Sequence, residues 1–386
     1  MQHKLERILA SHNRPVRVHS VQVAPQVIRY EVIPLHRRLA NGKDSLYMTT
    51  VGQLRRLTDD IEAGMGQGPV TVSLEDGKLW VELQRDFPAK VMARGIEVGD
   101  NCKLPLVLGK TVSGDDLVLD LTSPATPSVL IGGTTGSGKT VLLHSICWGL
   151  CRWTSPKDTH LILIDTNSPS LSPGSRLTLT EGGGLGVWNG AAHTYLMPTK
   201  PVDVLGMLGG IKSLLRKRYA EGSPPSPRYV IVIDELADLL GDPVYGDEIE
   251  NLIAEVAQIS RKKGVHIVAA TQRPSADVIK GMAKANFPVR IAMTVASSID
   301  SRIIIDQKGA ERLGGKGDGL LRVGMDIVRF QGGLVEDRDV DQVRLWGIQW
   351  KLKTGGYKRK GVSRPVVVEK EESVDGFLKR LFSWNR

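Results

Sequence analysis

The chain has 386 residues, of which 41% are hydrophobic and 24% are charged, a composition typical of a folded globular protein rather than a disordered or fibrous one. No apolar run reaches the roughly 18 residues that a membrane-spanning helix needs, and the first residues lack the apolar core of a signal peptide, so we expect a cytoplasmic protein without membrane insertion. Basic residues outnumber acidic ones by 51 to 42. This excess favours a polyanionic partner, although charge alone does not identify it.

Residues 1–105 predict a small α+β subdomain. Alternating apolar and polar side chains predict strands at 16–23 and 78–83, and one polar-faced helix is expected between Thr50 and Gly64. A join that carries Gly, Asp and Lys follows at residues 99–103.

Residues 106–340 alternate apolar strands with helical stretches, which is typical of a mostly parallel sheet covered on both faces in an α/β domain. Residues 167–201, inside this domain, are rich in Ser, Pro, Gly and Thr. We interpret them as a long surface loop.

A glycine-rich loop in this domain has the composition of a phosphate-binding loop. It follows the apolar run 128–131 and precedes an apolar helical segment. Glycines let backbone N–H groups wrap phosphates, Lys139 can reach the terminal phosphates, and the Thr140 hydroxyl can bind Mg²⁺. The N-terminal end of the helix adds positive potential. The alternative is a glycine-rich surface turn. The predicted nucleoside triphosphate site comprises Gly133, Thr134, Thr135, Gly136, Ser137, Gly138, Lys139, Thr140 and Val141.

Three cysteines, Cys102, Cys147 and Cys151, form no CxxC pair, and we expect reduced thiols. Cys147 and Cys151 lie four residues apart on the predicted helix after the loop. Apolar packing explains this spacing better than metal binding.

Two carboxylates end a continuous apolar run, residues 229–233, which is typical of a central parallel strand. Ligands bind at the carboxyl ends of such strands. Asp234 can therefore hold Mg²⁺, through water, while Glu235 can direct a water molecule at the γ-phosphate as the catalytic base. The alternative is that both residues cap the following helix.

A third predicted strand, residues 265–270, ends near Gln272. An amide can donate to a γ-phosphate and accept from water at once, so Gln272 is a candidate sensor of hydrolysis. An ordinary polar strand end is the alternative.

These motifs and their spacing resemble the motor of the FtsK/SpoIIIE family of double-stranded DNA translocases. The resemblance covers roughly residues 15–340 and is carried by residues 25–31, 106–110, 131–140, 232–238, 264–267, 270–275, 284–286, 299–302, 306–307 and 309–311. It implies a RecA-like P-loop ATPase domain after the small subdomain, with ATP and Mg²⁺ as ligands.

The resemblance also implies a homo-oligomeric ring of six subunits. In such a ring a neighbouring subunit supplies an arginine to the active site. The matching position is Arg261, and Arg302 is a second candidate. The alternative for Arg261 is a cation at a helix C-terminus.

Contacts with double-stranded DNA in similar motors come from loops that face the pore, and the matching positions are Arg273 and Lys284. Ser298 stands where the family often has another lysine, and nearby Lys280 is a substitute candidate. Phosphate contacts carry no sequence information, so we expect sequence-tolerant, salt-sensitive tracking along the duplex.

Residues 341–386 are interpreted as a basic C-terminal tail. Residues 351–360 either touch the DNA backbone or are solvated, and residues 377–384 are expected to form a short amphipathic helix. The tail does not have the pattern of the winged-helix domain of many family members. Sequence-directed loading would then need a separate loading or recombination protein.

Two functions remain open at the level of sequence. The favoured one is an ATP-driven ring that translocates duplex DNA, borne by a phage or mobile element and serving transfer, packaging or segregation. The rival is a DNA-bound ATPase clamp or switch that remodels a partner complex without processive movement. A conjugative coupling protein is a third reading, which normally includes a membrane segment.

Overall fold

The computed structural model describes residues 2–23, 27–38, 44–46, 50–66, 70–84, 90–166, 177–179, 184–260, 262–274 and 286–354. The chain divides into two compact units, Met1–Val91 with Lys110–Asp116 and Met92–Gly109 with Leu117–Arg386. Among the helices of these described ranges, none has the length and hydropathy to cross a membrane.

The first unit is a small antiparallel sheet with helices packed on it. Its strands are β1 (Val16–Val23), β2 (Val27–Pro34), β3 (His36–Arg38), β4 (Asp44–Leu46), β5 (Val70–Glu75) and β6 (Lys78–Gln84), and its helices are α1 (Gln2–Ser11), α2 (Val51–Arg55) and α3 (Thr58–Met65). The sheet order is β1-β2-β6-β5, and β3 pairs with β4. Leu5, Leu9 and Ile61 of the helices pack against the sheet around Tyr30 and Val81. The expected α+β subdomain is confirmed.

Two strands of this unit lie where alternation predicts them, but the expected single helix between Thr50 and Gly64 is wrong. The structure has α2 and α3, separated at Arg56 and Leu57. Thr50 caps α2 through a reciprocal capping box with Gln53. Leu57 leaves the helical region at φ −106° and ψ 8°, so that each short helix turns its own apolar residue, Leu54 or Ile61, into the core.

The second unit is built on a long mixed sheet. Its strands are β7 (Val91–Met92), β8 (Pro105–Thr111), β9 (Asp116–Asp120), β10 (Ser128–Gly132), β11 (Thr159–Ile164), β12 (Thr194–Leu196), β13 (Arg228–Ile233), β14 (Val265–Thr271), β15 (Val289–Met293), β16 (Asp318–Val323) and β17 (Asp326–Leu334). The order is β12-β11-β13-β14-β10-β15-β16-β17-β8-β9, with β7 beside β17. From β12 to β15 the pairing is parallel. It becomes antiparallel at β16 and β17.

Helices cover the parallel strands. They are α4 (Lys139–Trp153), α5 (Pro201–Ala220), α6 (Leu236–Leu240), α7 (Gly246–Ser260), α8 (Ser298–Ile305) and α9 (Asp337–Thr354). Residues Leu208 of α5 and Ile253 of α7 pack with Ile231 of β13 in one buried core, and each such side chain contributes about 1.5–3 kcal/mol by leaving water. The predicted RecA-like α/β fold with a mostly parallel central sheet is confirmed.

The expectation that residues 167–201 form a surface loop is wrong for the part that the structure describes. A 3₁₀ turn, Gly184–Trp188, buries Trp188 completely, and β12 adds an edge strand to the sheet. Trp188 Nε1 donates to Nδ1 of His144 at 3.1 Å. Burial of apolar side chains stabilises this turn, so the Gly-rich stretch folds although its composition is typical of a loop.

The three cysteines are free thiols, and Cys147 and Cys151 are buried in α4, as expected for packing residues. Burial also raises the pKa of Cys102, to about 11. Within the described ranges, no cluster of three or more His, Cys, Asp or Glu side chains has the arrangement of a metal site.

Candidate nucleotide-binding site

The glycine-rich loop lies at the carboxyl edge of the parallel sheet, between β10 and α4. Its backbone is anchored to the ends of the strands on both sides. Gly133 N–H donates to Thr271 O at 3.2 Å, next to β10 on one side, and Thr134 N–H donates to Thr294 O at 2.9 Å on the other. Gly136 and Gly138 have φ values of +79° and +102°, a region that side chains with a Cβ rarely adopt. The tight backbone turns of the loop are therefore made at glycines, as a phosphate-binding loop requires.

A second loop, at residues 314–317, contacts the phosphate loop. Gly317 N–H donates to Ser137 O at 2.8 Å, and a Cβ at Gly138 would come within 2.5 Å of the Gly317 nitrogen. Gly315, Lys316 and Gly317 all have positive φ, so this contact depends on an unusual backbone. This loop was not among the predicted site residues, although the Gly-Gly-Lys-Gly run at 314–317 is a visible signal.

The residues that follow the loop fit a magnesium nucleotide. Lys139 is 4% exposed, and its Nζ lies 3.9 Å from Oδ1 of Asp234. The Thr140 hydroxyl donates to the same oxygen at 3.3 Å. Burial raises the pKa of Asp234, an effect that Lys139 partly offsets. A half-buried carboxylate beside a hydroxyl is a suitable Mg²⁺ site, because a divalent cation compensates its desolvation.

One polar atom of the loop also fits such a ligand. Ser137 Oγ is buried and has no hydrogen-bond partner within the part of the chain that the structure describes, which is unusual for a buried hydroxyl. Thr134, by contrast, is used structurally, since its hydroxyl donates to Thr294 O at 3.0 Å. Val141 is 38% exposed in the first turn of α4.

Glu235 is 6% exposed and is held by donors on both carboxylate oxygens. Its Oε1 accepts from Ala237 N–H at 3.2 Å and from the Thr271 hydroxyl at 2.7 Å. Its Oε2 accepts from Gln272 N–H at 2.8 Å. Glu235 therefore caps α6, which is the alternative role considered from the sequence. It is also hydrogen-bonded to the end of β14.

Gln272 connects β14 to the phosphate loop. Its side chain is exposed, and its Oε1 accepts from the Thr135 hydroxyl at 2.6 Å. The register that pairs Ile233 with Ala269 places the ends of β13 and β14 side by side. The structure thus brings Lys139, Thr140, Asp234, Glu235 and Gln272 together at one edge of the sheet.

Known proteins resemble this chain in sequence and in fold. The sequence pattern described as "FtsK/SpoIIIE family" matches residues 97–220. The DNA translocase FtsK of Clostridium acetobutylicum is 34% identical over 371 residues, which cover 88% of this chain and 45% of that protein. The DNA translocase SpoIIIE of Bacillus subtilis is 31% identical over 374 residues, covering 88% of this chain and 44% of that protein. Over 88% of its length, the chain is homologous to DNA translocases of the FtsK/SpoIIIE family.

The chain thus spans less than half the length of these FtsK and SpoIIIE relatives. Solved structures with the same fold include the conjugation coupling protein TcpA of pCW3, in monomer form with ATPγS, at a TM-score of 0.57 and 21% identity over 89% of this chain and 99% of that chain. The type VII secretion ATPase EccC of Thermomonospora curvata matches at a TM-score of 0.55 and 21% identity, over 64% of this chain and 32% of that chain.

The remaining FtsK/SpoIIIE-type positions fall in different places. Arg302 is exposed on α8, and its side chain has no hydrogen bond or ion pair with any residue that the structure describes. Arg273 is exposed directly after β14. Arg261, Lys280 and Lys284 lie outside the described residues, so their roles stay predictions.

Proposed function

We propose that this chain is an ATP-driven, ring-forming motor that translocates double-stranded DNA. The observation that carries the proposal is the meeting of the phosphate loop, Asp234, Glu235 and Gln272 at one edge of the sheet, in a chain whose curated relatives are named DNA translocases. A nucleotide site alone would fit many ATPases. The family relationship directs it to DNA.

Bound ATP with Mg²⁺ supplies the phosphoanhydride bond whose cleavage drives the motor. Lys139 and the loop N–H groups hold the phosphates, and Thr140 and Asp234 hold the metal ion. Glu235 orients a water molecule and accepts its proton. Gln272 contacts the terminal phosphate. Its hydrogen bond with Thr135 transmits the loss of that phosphate to the loop.

Assembly into a homo-oligomeric ring, a hexamer in our proposal, completes the site. Arg302 is exposed on α8 and can reach the nucleotide of a neighbouring subunit, where a guanidinium stabilises the charge of the transition state. Arg261 is the other candidate for this role. Hydrolysis then depends on contact between subunits.

Duplex DNA is bound through its phosphates by Arg273, Lys284 and Lys280. Since such contacts do not read bases, binding is sequence-tolerant and weakens as salt rises. We place this motor in the transfer, packaging or segregation of DNA by a phage or mobile element.

A triplex-displacement assay tests the proposal. We expect ATP-dependent release of a third strand from duplex DNA, and no release by the Glu235→Gln variant bound to the same DNA. DNA-stimulated ATP hydrolysis without strand release would instead support a clamp that does not move. Hydrolysis that is indifferent to duplex DNA would contradict both functions.

A further inference from the structure

Thr271, the last residue of β14, occupies a central position that the proposed mechanism does not use. Its side chain is completely buried. The hydroxyl lies between the carboxylate of Glu235, at 2.7 Å from Oε1, and the backbone N–H of Arg273, at 3.2 Å. One small side chain thus touches the candidate catalytic base and the backbone of a candidate DNA contact.

The direction of these hydrogen bonds follows from the chemistry of a hydroxyl, which has a single proton to donate. A charged carboxylate at 2.7 Å is a stronger acceptor than the Arg273 carbonyl oxygen at 3.4 Å. Thr271 therefore donates to Glu235 and accepts from Arg273 N–H. The result is a continuous chain of hydrogen bonds from Arg273 through Thr271 to Glu235.

The next residue strengthens the same connection. Gln272 N–H donates to the second carboxylate oxygen of Glu235 at 2.8 Å, so both oxygens are oriented by the end of β14. A displacement of the backbone at Arg273 moves the N–H group that donates to the Thr271 hydroxyl. The hydrogen bond from this hydroxyl to the Glu235 carboxylate then changes as well. Such linked hydrogen bonds reinforce one another in a buried setting.

We infer that Thr271 is a positioning residue that sets the orientation of the Glu235 carboxylate and couples it to DNA contact at Arg273. The inference rests on the proposed function, because it deepens the account of how DNA stimulates hydrolysis at the same site. The competing explanation is that these hydrogen bonds only satisfy the buried hydroxyl and have no effect on hydrolysis.

The test compares Thr271→Val, which keeps the shape but removes the hydroxyl, with Thr271→Ser, which keeps the hydroxyl. In Thr271→Val we expect DNA-stimulated kcat to fall about tenfold, a part of the 10²–10⁴-fold that a general base contributes. The KM for ATP should stay within about twofold, because the phosphate contacts are intact. Thr271→Ser should keep most of the wild-type kcat.

Amide hydrogen exchange gives a readout that is independent of activity. Arg273 N–H loses its acceptor in Thr271→Val, so its exchange should accelerate in that variant and not in Thr271→Ser. If Thr271→Val does not fold, Thr271→Ala replaces it in the same comparison.

Combination with Glu235→Gln separates positioning from a general structural effect. If Thr271 acts through the carboxylate, Thr271→Val should lower kcat no further in the Glu235→Gln background. Equal losses in both backgrounds, or unchanged kcat and exchange in Thr271→Val, would overturn the inference. A wild-type ATPase that ignores DNA would refute the proposed motor, while basal kcat and exchange would still test the positioning of Glu235.

Discussion

The hydroxyl of Thr135 donates to Oε1 of Gln272 at 2.6 Å, which joins the phosphate loop directly to the end of β14. Gln272 N–H in turn donates to Glu235. One residue therefore contacts both the candidate phosphate loop and the candidate catalytic base. In the proposed mechanism, a change in the terminal phosphate reaches both through Gln272.

A double-mutant cycle with Thr135→Val and Gln272→Ala tests this connection. We expect each single variant to bind ATP but to lower kcat, and the pair to show a coupling of about 0.5–1.5 kcal/mol, the usual net value of a neutral hydrogen bond. Steady-state hydrolysis and titration with a fluorescent ATP analogue give the two quantities. Additive effects would mean that the contact has no role in turnover.

Lys139→Ala should abolish most nucleotide binding. The ammonium group is buried at the start of α4 and lies beside Asp234, so its loss removes a charged contact with the phosphates and leaves a carboxylate without its cation. We expect affinity for an ATP analogue to fall about 10–100-fold. Lys103→Ala, an exposed change in the same unit, is the control and should bind normally.

Glu235→Gln should separate binding from chemistry. The amide keeps nearly the same shape but cannot accept a proton, so we expect kcat to fall at least about 100-fold. Binding of ATP and DNA should persist, and an unhydrolysed complex should accumulate in rapid-quench experiments. Normal turnover by this variant would exclude Glu235 as the base.

The residues that meet at the site were easier to predict from the sequence than the contacts that support them. The run from β10 to α4 and the apolar strand β13 are local patterns, so their positions could be inferred from composition and spacing. The contact of Gly138 with Gly317 and the hold of Thr271 on Glu235 join residues that are distant in the chain. Such contacts depend on strand order and register, which no local pattern specifies.

The two errors of the fold prediction have a common cause. Trp188 and its neighbours sit in a glycine-rich stretch that looks like a loop, and α2 and α3 look like one helix. In both cases tertiary burial of a few apolar side chains overrides the local signal. The prediction of a single element fails where its tertiary contacts determine the backbone conformation.

Arg302→Ala should lower ATP hydrolysis by the assembled protein while leaving nucleotide binding unchanged. The side chain is exposed and makes no ion pair with the residues that the structure describes, so its loss costs little folding stability. Arg312→Ala, another exposed arginine, which pairs with Glu311 at 3.6 Å, is the matched control.

Mixing Arg302→Ala with Lys139→Ala protein tests whether the arginine acts across a subunit boundary. In the proposed ring each variant lacks a different half of the site, so mixed assemblies contain some complete sites and should recover part of the activity. Activity lost by Arg302→Ala in a protein that is shown to be monomeric would contradict this role.

Asp306 gives the protein a pH-dependent contribution to stability. Burial acts to raise its pKa, but hydrogen bonds from Arg290, at 2.6 Å, and from Arg322 outweigh it and hold the pKa of Asp306 at about 2. Its folded pKa lies below the unfolded one, near 3.9. The stabilisation is therefore complete above about pH 5 and is lost as the pH falls from there towards 2.

Asp306→Asn isolates this contribution, because Asn also tolerates the φ of +59° at this position. We expect a loss of about 1 kcal/mol in the free energy of unfolding at pH 7, a value reduced for the partial exposure of the carboxylate. The difference from wild type should shrink as the pH is lowered from 5 to 3 in urea titrations. Asp326→Asn, at the exposed first position of β17, is the matched control, and a difference for Asp306→Asn that stays constant with pH would contradict the assignment to its charge.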